Sequence, residues 1–202
     1  MEETKNERLI RAVLYDDVEE AGKLIAGGAN PRIRDRDKQT LLEIATLNLN
    51  LGMVKLLVEA GARTNIRDAH GESIAYSAMN YGSMELTLYL IENGADINAY
   101  VDHGETMLSQ ALADEERELA KVLLDHGADP NKGNFIDTPL CIVAEQDDVE
   151  MFKLLLEKGA KLEGREGTGT RGMIYQHLKE LKDHGYLDDE YNVTDAGKLA
   201  LL

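Results

Sequence analysis

The sequence has no tryptophan and only two phenylalanines, Phe135 and Phe152, so apart from eight tyrosines its core must be aliphatic. It has one cysteine, Cys141, which excludes an internal disulfide and suits a reducing compartment. No stretch approaches the ~18 consecutive apolar residues that a membrane span requires. The start, Met1 to Glu7, offers no cationic segment followed by an apolar run, so no secretory signal is visible. These absences lead to the expectation of a soluble cytoplasmic protein without membrane contact. Basic residues are also few: 22 Lys and Arg stand against 38 Asp and Glu, a formal charge of −16. A nucleic-acid binder carries a basic footprint, which is missing globally, so no nucleic-acid partner is expected. The imbalance is uneven, with +1 over residues 34–66 and −13 over 67–164. Such a field keeps an exposed surface soluble, and it would equally suit a basic partner.

What the chain does have is a period. Gly-Ala pairs begin at Gly28, Gly61, Gly94, Gly127 and Gly159, spaced 33, 33, 33 and 32 residues apart. A hydroxyl marker runs in phase at Thr40, Ser73, Thr106 and Thr138, with Thr170 next in register. Two markers holding one register define a repeat array, and that pattern governs the rest of the reading. In each unit a hydroxyl residue caps a short helix by accepting a backbone N–H. A polar turn follows, then a Leu-rich helix such as residues 53–60, which ends at a Gly suited to left-handed backbone. Ala45, Ala78, Ala111 and Ala144 hold the first helices close together.

The phrases Thr138-Pro-Leu-Cys-Ile-Val-Ala144 and Leu123-Leu-Asp-His-Gly-Ala-Asp-Pro-Asn131 resemble the ankyrin repeat family over roughly residues 5–170. The resemblance implies an all-α solenoid of stacked helix-turn-helix repeats with β-turn fingers. An N-terminal capping unit covers about 5–28, and full repeats cover about 29–61, 62–94, 95–127 and 128–159. The array thus spans 1–164, and 165–202 form a divergent C-terminal cap or a small appended helix-hairpin segment. The first unit is expected to lack both a finger and the hydroxyl marker. The family's signature His is replaced by Glu43, Tyr76, Ser109 and Cys141, so its inter-repeat hydrogen bonds cannot all form.

In such arrays the finger tips and the exposed side of each first helix form a concave binding surface. Carried over by phase, the first finger supplies Arg34 and Arg36. The second supplies Arg67, His70 and Glu72, with Tyr81 on its helix. The third supplies Tyr100, Asp102, His103 and Glu105, with Asp114, and the last supplies Phe135 and Asp137, with Glu145. The arginines gather at the first two fingers, either as a binding patch or as solvated fingers balanced by Asp35 and Asp37. Aromatic residues interleave with the acids further on, as interface anchors do. Phe135 either anchors a partner or folds against its neighbours.

Catalytic and cofactor motifs are not found. His70 and His103 share a phase, but neighbouring repeats lie roughly 10 Å apart, too far for one metal ion to bridge. The run Gly164 to Thr170 is Gly-rich yet lacks a Gly-Lys-Ser/Thr ending and a preceding strand, so it is expected to be a connector. Asp147 and Asp148 are expected in a solvated inter-helix turn. After Gly164 the residues 171–202 are similar to the end of a winged-helix domain, a helix about 171–184 included, although the first two helices of that fold are missing. The expectation is a non-enzymatic, monomeric module that binds a protein partner and needs no cofactor or metal. The alternative is an acidic inhibitor or immunity-type antagonist of a basic partner such as a nuclease. A DNA-binding regulator acting through the tail ranks third.

Overall fold

The computed structural model describes residues 3–68, 70–101, 104–133, 138–146, 148–161 and 182–185. The chain divides into two compact units, residues 1–101 and 102–202.

The first unit holds three helix pairs: α1 (Lys5–Leu14) with α2 (Val18–Ala26), α3 (Leu41–Leu47) with α4 (Leu51–Glu59), and α5 (Ile74–Asn80) with α6 (Met84–Glu92). The first helices stack in a row, α1 on α3 and α3 on α5, while α2 packs on α4. The second unit holds α7 (Met107–Ala113) with α8 (Arg117–Asp125) and α9 (Pro139–Glu145) with α10 (Val149–Glu157), and α7 packs on α9. A seven-residue helix is too short to persist in water alone, so these first helices depend on packing. The helix α3 accordingly buries residues 41–46 as an unbroken run. The in-phase alanines Ala45, Ala78, Ala111 and Ala144 are all buried, which is what close helix approach demands. Between the pairs, Leu57, Leu86, Leu90 and Leu123 are fully enclosed, each contributing about 1.5–3 kcal/mol. Phe152 is the sole phenylalanine in the described core, which is otherwise aliphatic apart from Tyr76.

The Gly-Ala marker is a helix stop with a defined geometry. Gly28, Gly61, Gly94, Gly127 and Gly159 all have φ between 91° and 96°. In each case the glycine N–H and the following alanine N–H reach back to the helix, as in Gly61 to the Val58 carbonyl and Ala62 to the Leu57 carbonyl. Those paired bonds satisfy carbonyls that would otherwise be orphaned at the helix end. Further carbonyls there are taken by the segment that opens the same repeat. Lys5 Nζ donates to the Gly27 oxygen at 2.8 Å, Arg32 Nε to Gly61 at 2.6 Å, and Thr64 Oγ1 to Asn93 at 2.7 Å. In the second unit Asn131 Nδ2 donates to the Gly159 oxygen at 3.1 Å. These bonds tie the opening segment of each repeat to the end of its second helix.

The hydroxyl marker caps helices at Thr40, Thr106 and Thr138, each accepting from the N–H three residues on. Glu43 and Ser109 answer from the third helical position and close capping boxes. Ser73 departs from the expectation: its hydroxyl makes no cap bond and instead donates to the Asp96 carbonyl at 3.4 Å. The N-terminal capping unit departs in the other direction. It does carry the marker, at Thr4, which forms a full capping box with Glu7. The helix α1 has 10 residues where α3 has 7, about one extra turn, which moves its cap three residues out of register. The paired bonds from Thr4 to the Glu7 carboxylate, backbone first and hydroxyl second, lower the pKa of Glu7.

A second correction concerns the turns between paired helices. Asp148 is 7% exposed rather than solvated. It accepts from the Met151 N–H at 3.1 Å to cap α10 and receives Arg117 Nε at 2.7 Å. Its neighbour Asp147 lies outside the described residues. Of the tail, residues 182–185 close a helical turn, with the Gly185 N–H on the Lys182 carbonyl at 2.9 Å. The Gly164 to Thr170 connector, most of the 171–184 helix and the winged-helix-like residues after it lie outside the described residues.

Candidate protein-binding face

The fingers of the first unit are built by one local code, Ile-Arg-Asp, written twice. In the first, Arg34 and Thr40 form an antiparallel bridge, and in the second Arg67 and Ser73 do so. The aspartate after each arginine organises the tip. Asp35 Oδ1 accepts from the N–H groups of Asp37 and Gln39 at 3.0 and 2.9 Å. Asp68 Oδ1 accepts from those of His70 and Glu72 at 2.9 and 3.0 Å. Short carboxylates that bind backbone two residues on are what such turns select. The tip then needs one left-handed residue, supplied by Lys38 (φ 65°) and Gly71 (φ 83°).

Each arginine clips its own finger. Arg34 Nη1 donates to the Lys38 carbonyl, and Arg67 Nη1 donates to the Gly71 carbonyl at 2.6 Å. Arg67 Nη1 also reaches the Tyr100 carbonyl at 3.0 Å, so Arg67 and Tyr100 meet across adjacent fingers. Among the described residues Asp35 and Asp37 make no ion pair with the arginines, and the Asp35 carboxylate is committed to the finger backbone. Arg32, Arg34, Arg36, Lys38, Arg63 and Arg67 are all exposed. His70 stands exposed at the second tip, and Glu72 is half-buried beside it.

The helix side of this face carries aromatic surface. Tyr81, at the end of α5, is 58% exposed, and Tyr100 is 47% exposed. One period before Tyr81 stands Asn48, and one before that Tyr15, which is 79% exposed. Leu14 and Leu49 are exposed beside these turns, and Asn48 Nδ2 donates to Asp16 Oδ1 at 3.2 Å, joining the first two. Tyr15, Leu14 and Leu49 were not singled out from sequence. Their signal was available in the phase, since Tyr15 and Tyr81 differ by two periods of 33.

In the second unit Asp114 and Glu145 are exposed at the ends of α7 and α9, and Glu105 is half-buried. Asp114 accepts from Gln110 Nε2 at 2.7 Å. With Glu115, Glu116 and Glu118, also exposed, Asp114 makes an acidic patch at the α7–α8 turn. Asp102, His103, Phe135 and Asp137 lie outside the described residues. Cys141 is buried in α9 as a small apolar residue. Among the described residues no group of three or more His, Cys, Asp and Glu is placed to hold a metal ion, and no helix is long and apolar enough to cross a membrane.

A family model of ankyrin repeats, three copies, matches residues 9–101, and a single ankyrin repeat matches 137–165. Together the matches cover more than half of the sequence. No curated protein matches the chain.

Proposed function

The chain belongs to the ankyrin repeat family, whose members are generally non-catalytic protein–protein interaction modules, and from that premise we propose that it binds a protein partner through its fingers and first helices. The observation that carries this reading is the exposure of Tyr81 and Tyr100 in a chain whose aromatic residues are so few. Tyrosine offers large contact area at little conformational cost, and it is enriched among the few residues that dominate interface energetics. Both stand on a braced frame: Tyr100 is tied through its carbonyl to Arg67, and Tyr81 terminates a helix buried along most of its length. Arg34, Arg36, His70 and Glu72 form the polar rim. The module acts as a monomer without cofactor, and it performs no catalysis.

The test starts from a partner isolated by affinity capture from the native source. Calorimetry with the Tyr81→Ala and Tyr100→Ala double variant should show a loss of about 2 kcal/mol or more, roughly thirtyfold in affinity. Glu92→Gln, on α6 away from the fingers, should bind as the parent does. If Glu92→Gln is the damaging change, the face is misassigned.

The acidic patch favours a second reading, an antagonist of a basic partner. Asp114, Glu115, Glu116, Glu118 and Glu145 are exposed in the second unit. Attraction of this kind fades beyond a Debye length, about 8 Å at physiological ionic strength. Association should therefore slow markedly with salt, and neutralising Glu105, Asp114 and Glu145 should lower the association rate more than it raises dissociation. A salt-independent association rate would leave the acids as solubility alone.

A further inference from the structure

The first unit contains a hollow of about 320 Å³ that the sequence does not announce. Its cationic wall is Arg32, Arg34 and Arg63, and its apolar wall is Pro31, Ala62 and Ile66. The volume lies at the lower end of the range in which concave sites hold ligands, ~300–1,000 Å³. The three guanidinium groups make no ion pair among the described residues.

Two of the three arginines are held in place by the backbone. Arg32 Nε is fixed on the Gly61 carbonyl at 2.6 Å, and Arg34 Nη1 on the Lys38 carbonyl. Gly61 lets Arg32 lie close: a Cβ there would stand 3.2 Å from Nη2. Each guanidinium therefore keeps terminal donors free while its position is set, which reduces the entropy lost on binding. Arg63 completes the wall from the next repeat and donates to nothing among the described residues.

We propose that this hollow is a docking site for an acidic peptide segment of a protein partner, one that alternates carboxylate and apolar side chains. The charge complementarity is direct, since carboxylates match guanidinium forks. An extended peptide sends successive side chains to opposite faces, so a mixed sequence meets both walls of the hollow. A free phosphate would use the arginines and leave Pro31, Ala62 and Ile66 unused. A nucleic acid would bring a dense polyanion toward a chain of net charge −16. The proposal rests on the reading of the fingers as a binding face and adds the chemistry of what one part of it accepts.

The test is a titration followed by the backbone amide signals in 15N-correlated NMR. The probe is a synthetic peptide alternating Glu and Leu, run against the same peptide with Gln for Glu, inorganic phosphate and a short oligothymidylate. The Glu–Leu peptide should give saturable shifts at residues 32–34 and 62–66, and its Gln analogue should bind about tenfold more weakly or less. Arg63→Glu should weaken the Glu–Leu peptide at least about tenfold, and Arg63→Lys by only a few fold. The absence of bonds from Arg63 makes both variants safe for folding, which the unperturbed remainder of the spectrum verifies. The proposal is overturned if the Gln analogue binds equally, if Arg63→Glu has no effect, or if no saturable shifts occur. It is equally overturned if phosphate or the oligothymidylate saturates these amides at lower concentration than the peptide. If the peptide fails while the tyrosine variants still lose the captured partner, the hollow is misread and the binding face stands. If the peptide binds and the tyrosine variants retain the partner, the reverse holds.

Discussion

Glutamate 115 sits in a backbone conformation that disfavours it, and replacing it should strengthen the protein. The residue between paired helices is left-handed in every described turn: Asp16, Leu49, Gly82 and Glu115 have φ of 57°, 55°, 83° and 58°. These positions are one period apart, yet only one is glycine. A side-chain-bearing residue held there costs roughly 1–2 kcal/mol, because Cβ crowds the following carbonyl. Glycine removes that cost but loses about 0.5–1 kcal/mol in backbone entropy. The Glu115 side chain is exposed and makes no hydrogen bond or ion pair among the described residues, and its backbone bonds survive in glycine, so little else is lost. Glu115→Gly should therefore stabilise by about 0.5–1 kcal/mol, or roughly 1–4 °C in the thermal midpoint for a chain of this size. Leu49→Gly is the instructive contrast. Leu49 is 40% exposed, so deleting it gives up more than half of the ~1.5–3 kcal/mol of a buried leucine. That offsets the backbone gain and leaves the variant neutral or weaker. Gly82→Ala should destabilise by about 1 kcal/mol. Urea and thermal melts followed by far-ultraviolet circular dichroism would rank the three. A lowered midpoint for Glu115→Gly with helix content intact would refute the reasoning.

Replacing the stop glycines should reveal their surroundings: Gly127→Ala meets nothing within 4 Å and should cost only its backbone strain, about 1–2 kcal/mol. Gly61→Ala should cost about 1 kcal/mol more, because it displaces Arg32 from the Gly61 carbonyl; equal urea midpoints would contradict this. Asp148→Ala should cost about 1–3 kcal/mol through the lost cap and ion pair, whereas Asp148→Asn, which keeps a capping oxygen, should cost clearly less in the same melts. Glu7 has a pKa lowered by its bonds to Thr4, so its contribution is complete at neutral pH and is lost as pH falls through the folded-state value. Thr4→Ala removes the hydroxyl but leaves the backbone donor, so a carboxyl NMR titration should show the pKa of Glu7 rising part of the way back. An unchanged titration would mean that the hydroxyl does not act on Glu7.

The repeats were legible because their markers are backbone requirements. A left-handed stop at Gly61 or Gly127 and a capping oxygen at Thr40 or Thr106 must stand at fixed places, so they survive as a period. The finger code was half-legible: Arg34 and Arg67 were found by phase, but their grip on the Lys38 and Gly71 carbonyls requires the folded tip. Thr4 escaped because one additional turn in α1 shifts it by three residues. The left-handed positions at Asp16, Leu49 and Glu115 escaped because the helix-ending turn imposes a conformation that their side chains do not advertise. Asp148 was misread because an aspartate in a turn is ordinarily solvated, and only the approach of Arg117 shows otherwise. Tyr15 escapes notice because it lies in the N-terminal capping unit, which is expected to lack a finger, although its spacing to Tyr81 matches that of the repeats.

Amide hydrogen exchange on the complex with the captured partner tests the central claim most directly, because it maps the bound surface without any substitution. Protection should be added at the fingers, residues 32–40 and 67–73, and at the α5–α6 turn around Tyr81, with α4 and α6 unchanged along their exposed sides. Protection confined to α4 and α6, with the fingers exchanging as in the free protein, would contradict it.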